Sequence, residues 1–177
     1  TTVWTFENRI GVDAAKAVFE AVQVQLQRRG YLARCGQIID ATLVPAPRQH
    51  IDKEDRAALE KGEEPDWTPA QKRQRDTDAS WAKKHGKSHF GYKLSASVDA
   101  KHKLIRKIET GTASEHDSQH FDAVLDAGNT GSAVYADRAY PSKEREAALK
   151  ARGLKPMIQR KAQRNRALSE RQKERNR

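Results

Sequence analysis

The sequence predicts an α/β chain built on one central sheet, and three observations carry that reading. Gln37–Val44 (QIIDATLV) is short, β-branched and largely apolar and reads as a buried strand, and Ala133–Ala136 (AVYA) and Leu154–Gln159 read as further short strands. Residues His89–Val98 and Leu104–Thr110 read as a hairpin turning through Asp99–Lys103, with alternation in Phe90, Tyr92, Leu94, Ala96 and Val98. Helical stretches with start and stop signals separate several of these strands. Strands that come partly as a hairpin and partly as strand–helix–strand units belong to a mixed sheet flanked by helices.

Taken in order, residues 12–29 form an amphipathic helix, with Val12, Ala15, Val18, Phe19, Val22 and Leu26 at three-and-four spacing. Gly30 stands at its C-terminal cap, Arg28 and Arg29 suit the negative end of the dipole, and the apolar stripe is expected to face the core. Pro45 and Pro47 end the first strand. Residues 48–88 read as a long polar connection, with short helices at 54–61 and from Thr68 or Pro69. Its basic and aromatic residues, among them Trp81, Lys83, Lys84, His85, Lys87 and His89, suit either a solvated loop or contact with a phosphate backbone. After the hairpin, Asp117 or Ser118 caps a helix carrying Phe121, Val124 and Leu125. Pro141 opens another helix running to Ala151 and closed by Gly153, and residues 162–177 are basic with few apolar side chains.

Of 177 residues, 34 are Lys or Arg and 24 Asp or Glu, a net charge of +10. Residues 1–137 carry 20 bases and 20 acids, so residues 138–177, with 14 bases and 4 acids, hold the whole excess. A concentrated basic segment attracts a polyanion, with nucleic acid the first candidate and a solvated tail the alternative. There is no apolar run of about 18 residues, so no membrane span is expected. The single cysteine, Cys35, excludes an internal disulfide and suits a reducing compartment. No zinc spacing, Walker loop or G-x-G-x-x-G occurs. The chain begins at Thr1 without an initiator methionine or a signal-peptide pattern, which suggests a fragment, a processed chain or an incomplete reading frame.

Two acids stand out. Asp40 interrupts an apolar strand, and Asp137 directly follows one. A carboxylate in a buried strand is costly unless it is paired or coordinates a metal. Ligand sites of α/β sheets gather at the carboxyl ends of strands. Two such acids on neighbouring strands would suit Mg²⁺ or Mn²⁺ and phosphoryl-transfer chemistry. The alternatives are a strand-end salt bridge between Asp137 and Arg138, and a turn cap or lysine partner for Asp40.

Four strings occur in order: GQIIDATLVPAPRQ (36–49), KKHGKSHFGYKLSASVDAKHKLI (83–105), TASEHDSQHFDAVLD (112–126) and VYADRAY (134–140). Together they resemble the DDE transposases of bacterial insertion sequences, in the group named after insertion sequence five. The resemblance implies an RNase H-like catalytic domain over 31–177, with an insertion at 48–88 and a basic segment at 155–177. TTVWTFENRI (1–10) is similar to the end of the family's N-terminal helical domain, so 1–30 is expected to be the tail of that domain. The family's metal-dependent DNA cleavage and strand transfer imply that Asp40 and Asp137 are catalytic and hold Mg²⁺, with Mn²⁺ as substitute. Water would attack at the element's end, and the freed 3′-hydroxyl would attack target DNA. The resemblance makes His116 and Asp117 candidates for residues behind the metal ligands or beside the DNA. Lys87, His89, Lys93, Arg138, Arg160, Lys161 and Arg164 are the expected contacts to DNA phosphates. Double-stranded DNA is the expected partner, with a homo-oligomer on it, in a cytoplasmic, nucleoid-associated setting.

The family's third acid sits in an R-x-x-V/I-E-x-x-F string that does not occur before Arg177, and Glu170 and Glu174 lack that context. The sequence reading therefore expects a fold incomplete at its last catalytic helix, in an interior fragment or a decayed or frameshifted copy. Two further readings remain: a non-catalytic DNA-binding remnant, and a basic RNA- or ribosome-associated protein. The latter accounts for the charge but not for two acids in apolar strands.

Overall fold

The computed structural model describes residues 2–31, 33–48, 50–84, 86–162 and 164–176, and only the backbone of Trp4, Glu7 and Asn8. The expectation for His85 lies outside the described residues. The strands are β1 (Gln37–Pro45), β2 (Ser80–Lys84), β3 (Lys87–Asp99), β4 (Ile105–Thr112), β5 (Ala133–Ala136) and β6 (Lys155–Ile158). The helices are α1 (Thr2–Arg28), α2 (Lys53–Glu60), α3 (Pro69–Gln74), α4 (Phe121–Val124), α5 (Lys143–Ala151) and α6 (Glu170–Arg175), with a 3-10 turn at Asp117–His120 leading into α4.

β1 lies at the centre. It runs antiparallel to β3 on one side and parallel to β5 on the other, and β6 continues the parallel half. The far edge of β3 pairs with β2 along Lys87–Gly91 and with β4 along Tyr92–Val98. Gly91 (φ 152°) stands where β3 changes partner, and a Cβ there would meet the Val44 carbonyl oxygen at 2.1 Å. The sheet is thus mixed, as predicted.

One face of the parallel half carries the core. Ile39, Val134, Ala136 and Ile158 from the strands meet Phe121, Val124 and Leu125 around α4, Tyr140 after β5, and Leu149 of α5. The start of β1 is fixed by a buried amide. The Gln37 Nε2 donates to the Asp126 carbonyl (3.2 Å), and its Oε1 accepts from the Asp126 N–H (2.8 Å) and the Ser97 hydroxyl (3.0 Å). A buried hydrogen-bond network of this kind favours one register.

The capping signals hold for α3 and α1, whereas α5 starts at Lys143, two residues after the expected Pro141. Thr68 forms a reciprocal capping box with Gln71, with Pro69 in the first turn of α3. Ser142 caps α5 through the Arg145 N–H, and Gly30 (φ 85°) closes α1 with the Tyr31 N–H on the Leu26 carbonyl at 3.0 Å.

Four expectations need correction. The first helix begins at Thr2, with a break at Gly11 (φ 64°, ψ −177°), and its stripe does not face the core: Val12, Val18 and Val22 are exposed. Helical periodicity identifies an apolar face but not what covers it. The helix reaches the sheet through Gln23, whose side chain donates to the Ile105 carbonyl (2.7 Å) and accepts from Arg106 (2.7 Å). Second, Ser80–Lys84 and Lys87–Ser88 are strand rather than connection: β2 pairs antiparallel with the start of β3. Ser80–Lys84 has no β-branched residue to mark it, and its lysines are those of an edge strand. Third, the cap before α4 is His116, whose ring nitrogen accepts from the Ser118 N–H. Fourth, β1 is buried only at Gln37 and Ile39, and Asp40 is exposed. Among the described residues, no helix is long and apolar enough to cross a membrane.

Candidate active site

The parallel pairing of β1 with β5 sets Gln37 beside Val134, Ile38 beside Tyr135 and Ile39 beside Ala136. The next step along both strands is Asp40 and Asp137. Strand alternation buries Gln37, Ile39, Val134 and Ala136 on one face and leaves Asp40 to the open face with Tyr135. Asp40 and Asp137 each stand one residue beyond the last paired position, Ile39 beside Ala136, and both are exposed. Exposure removes the desolvation argument for Asp40; adjacency replaces it as the notable feature.

Local hydrogen bonds orient both side chains. The Asp40 carboxylate accepts from the Ala41 N–H (2.8 Å), and that of Asp137 accepts from the Ala139 N–H (2.7 Å). Neither forms an ion pair with a described residue, so the Asp137–Arg138 bridge and a lysine partner for Asp40 are not formed.

Asp117 approaches from the 3-10 turn. Its carboxylate lies 2.6 Å from the Lys93 ammonium, which also donates to the Glu115 carbonyl. Lys93 is buried, at 8% exposure, so its charge is held by Asp117 rather than presented at the surface. Arg145 joins the two loops: its guanidinium donates to the Tyr140 carbonyl (2.6 Å) and the Ser118 carbonyl (3.0 Å), and lies 4.8 Å from the Phe121 ring centre. His116 remains exposed, occupied in capping.

Tyr140 lies within the electrostatic reach of these acids. Its ring is buried against Phe121, and its hydroxyl has no hydrogen-bond partner among the described residues. Burial pushes the phenol's pKa up, and the charges of Asp117, Asp40 and Asp137 push it further, against Arg145. The hydroxyl stays protonated and lies in the field of all three carboxylates. An orphaned buried donor costs free energy, so Tyr140→Phe is expected to raise stability by about 1 kcal/mol in thermal or urea unfolding. A clear loss of stability would mean that the hydroxyl has a partner in solution.

A second network braces the turn. The Ser95 hydroxyl lies 3.2 Å from the His120 Nδ1, and the His120 Nε2 lies 2.7 Å from the Glu115 carboxylate. A hydrogen bond from the Thr112 backbone, followed by the bond and charge of His120, holds the Glu115 carboxyl below its usual value of 4.5. A carboxyl with a lowered folded pKa contributes stability that is complete above about pH 4.5 and is lost as pH falls through the lowered value. Glu115→Gln should therefore flatten the acid limb of stability measured from pH 6 down to 3; an unchanged limb would remove Glu115 from that account.

The remaining cations fall in two places. Lys87 and His89 lie at the β2–β3 hairpin. Asp40 pairs with Ala96, so Lys87 is nine residues further along β3, roughly 30 Å from that level. Arg138, Arg160, Lys161 and Arg164 cluster instead near Asp137: the first three line a cavity of ≈ 430 Å³ beside it, and Arg164 is exposed on the adjoining segment.

The family of this chain follows from sequence comparison together with this arrangement. The family described as Transposase DDE domain matches residues 31–177. The chain belongs to the DDE transposases of insertion sequences. It is 33% identical over 167 residues to the transposase for insertion sequence element IS1106 of Neisseria meningitidis serogroup B, an alignment covering 93% of this chain and 56% of that protein. The chain thus spans 56% of the length of that relative. No solved structure matches.

For a DDE transposase, the donor chemistry of Asp40 and Asp137 fits a hard divalent cation: two exposed carboxylates that form no ion pair with a described residue and whose charges both act on the buried Tyr140 hydroxyl. Among the described residues, no group of three or more His, Cys, Asp or Glu comes together to hold a metal. The pair is therefore a two-ligand set. Sequence reasoning singled out the two acids but not Tyr140 and Arg145, whose contacts reach residues outside their own helix and turn.

Proposed function

We propose that this chain carries the first two metal-holding carboxylates, Asp40 and Asp137, of an RNase H-like transposase domain that cleaves and joins DNA. The observation that supports the reading is the parallel β1–β5 register, whose last pair, Ile39 beside Ala136, directly precedes each acid. The order of β1, β3 and β4, antiparallel in turn with β2 added at the edge of β3, followed by β5 and β6 on the parallel side of β1, supports the RNase H-like assignment.

Asp40 and Asp137 would hold Mg²⁺, or Mn²⁺ in its place. A bound divalent ion supplies Lewis acidity toward a phosphodiester oxygen and lowers the pKa of water. The chain's own groups position the site. Arg145 ties the Asp137 turn to the Asp117 turn, Lys93 holds Asp117 against the sheet, and His116 caps that turn. Arg138, Arg160, Lys161 and Arg164 meet phosphates of the DNA entering beside Asp137, with Lys87 and His89 contacting the duplex further out. In the proposed reaction, water cleaves a phosphodiester to leave a 3′-hydroxyl, which then displaces a strand in target DNA. Element ends and target are double-stranded DNA, and the active assembly is a homo-oligomer on it, at the nucleoid. Residues 31–177 form the catalytic domain and 1–30 the end of a helical domain.

The test is Mg²⁺-dependent nicking of supercoiled DNA carrying the element's ends. Nicking that disappears in both Asp40→Ala and Asp137→Ala is the expected result; retained nicking in either overturns the assignment. A second reading, DNA binding without cleavage, is favoured by the two-ligand set. It predicts salt-sensitive binding and no nicking even by the unsubstituted chain.

A further inference from the structure

The cavity beside Asp137 has a construction that a diffuse basic tail lacks. Its floor is the corner after β5, and its roof is the arm that follows β6 and ends in α6. Hydrogen bonds centred on Asn176 fasten that arm. The Asn176 Oδ1 accepts from the Arg160 N–H (2.9 Å), its Nδ2 donates to the Arg160 carbonyl (2.8 Å), and its own carbonyl accepts from the Gln159 side chain (3.3 Å). Ser169 starts α6 with a capping box through Gln172, whose side chain also lines the cavity.

The charges around the cavity are unequal. Arg160 is neutralised by Glu146 at 2.5 Å. Arg138, Lys161 and Arg166 line the same space, and none forms an ion pair with a described residue. Like charges around a concavity focus the field and favour an anion within it. The volume of ≈ 430 Å³ exceeds what one phosphate fills, and Pro141 and Leu168 give it an apolar side.

We infer that this cavity is a seat for one nucleotide unit of a DNA strand. The phosphate lies among Arg138, Lys161 and Arg166, the deoxyribose rests on Pro141 and Leu168, and the Asn176 clasp keeps the seat closed. The inference rests on the reading of DNA as the partner, and it assigns Arg166 and Asn176 roles that charge alone does not give them. Because Arg138 directly follows Asp137, a strand seated here passes beside the carboxylate pair.

The experiment is binding of fluorescent tetrathymidylate to the full chain in EDTA, titrated against salt, with circular dichroism of each variant. Arg166→Ala and Lys161→Ala should each weaken binding roughly tenfold and flatten the log–log salt slope by about 0.7. Asn176→Ala should weaken binding although no charge is lost, whereas Lys173→Ala, a cation on α6 paired with Glu170 at 2.7 Å, should leave it unchanged. Unchanged binding in Arg166→Ala, or equal losses in Lys173→Ala and Arg166→Ala, overturns the seat. Inorganic phosphate competing as well as the oligonucleotide would reduce it to an anion patch and overturn the nucleotide assignment. Since no divalent ion is present, a negative result here leaves the nicking test standing, and absent nicking leaves this test standing.

Discussion

Phe121→Ala is expected to destabilise the chain by about 3–5 kcal/mol. The ring is fully buried at the start of α4, with its centre 5.7 Å from that of Tyr140 and the Arg145 guanidinium over its face. Truncation removes both aromatic packing and the cation–π contact, and opens a cavity between α4 and strands that hydrogen bonding holds in place. The surroundings have little freedom to collapse, which puts the cost toward the upper end of the range. The loss also reaches the site, because the same ring backs the turn carrying Asp117 and the guanidinium that joins this turn to Tyr140. Urea unfolding of Phe121→Ala and Phe121→Leu checks this: the leucine variant, which keeps most of the volume, should lose much less. A cost below about 1 kcal/mol for alanine would mean that α4 is not packed as described.

The second large effect concerns Asp40 and Asp137. Removing either carboxylate leaves a single strand-borne ligand, so divalent-ion affinity should fall by at least the 10–100-fold that changes behind a metal's ligands produce. The fold should survive, because both side chains are exposed and bond only to neighbouring backbone. Asp117→Asn differs. It removes the partner of buried Lys93, so its cost falls first on stability, as expected when one member of a buried pair is lost.

Much of the architecture was legible in the sequence. Residues 37–44 announce themselves by β-branched composition and 133–136 by a short apolar run, and Thr68, Pro69 and Gly30 mark helix ends by local chemistry that needs no tertiary context. What failed had a common cause. The stripe on α1 specified a face but not a partner, and the residues expected inside are exposed. The edge strand Ser80–Lys84 draws its strand character from pairing with β3 rather than from its own side chains. At Asp40, an apolar run suggested burial on both faces, whereas the strand buries Gln37 and Ile39 and turns the acid outward.

The site divides along the same line. Asp40 and Asp137 were visible as acids at strand positions, but the pairing of their strands is a matter of register between segments nearly a hundred residues apart. Lys93 looked like a free cation until the fold brought Asp117 to it. Tyr140 and Arg145 carried no signal of their own: a tyrosine and an arginine around a helix start are ordinary, and only the packing of α4 and the 3-10 turn against them gives them a function.

The central claim is that Asp40 and Asp137 act together on one divalent cation. Mn²⁺ binding, followed by electron paramagnetic resonance of the free ion or by calorimetry, tests it directly in the unsubstituted chain, Asp40→Asn, Asp137→Asn and the double variant. The account predicts one shared affinity lost to a similar extent in each single variant, with little further loss in the double. Independent, additive losses, or Mn²⁺ affinity unchanged in either single variant, would contradict it.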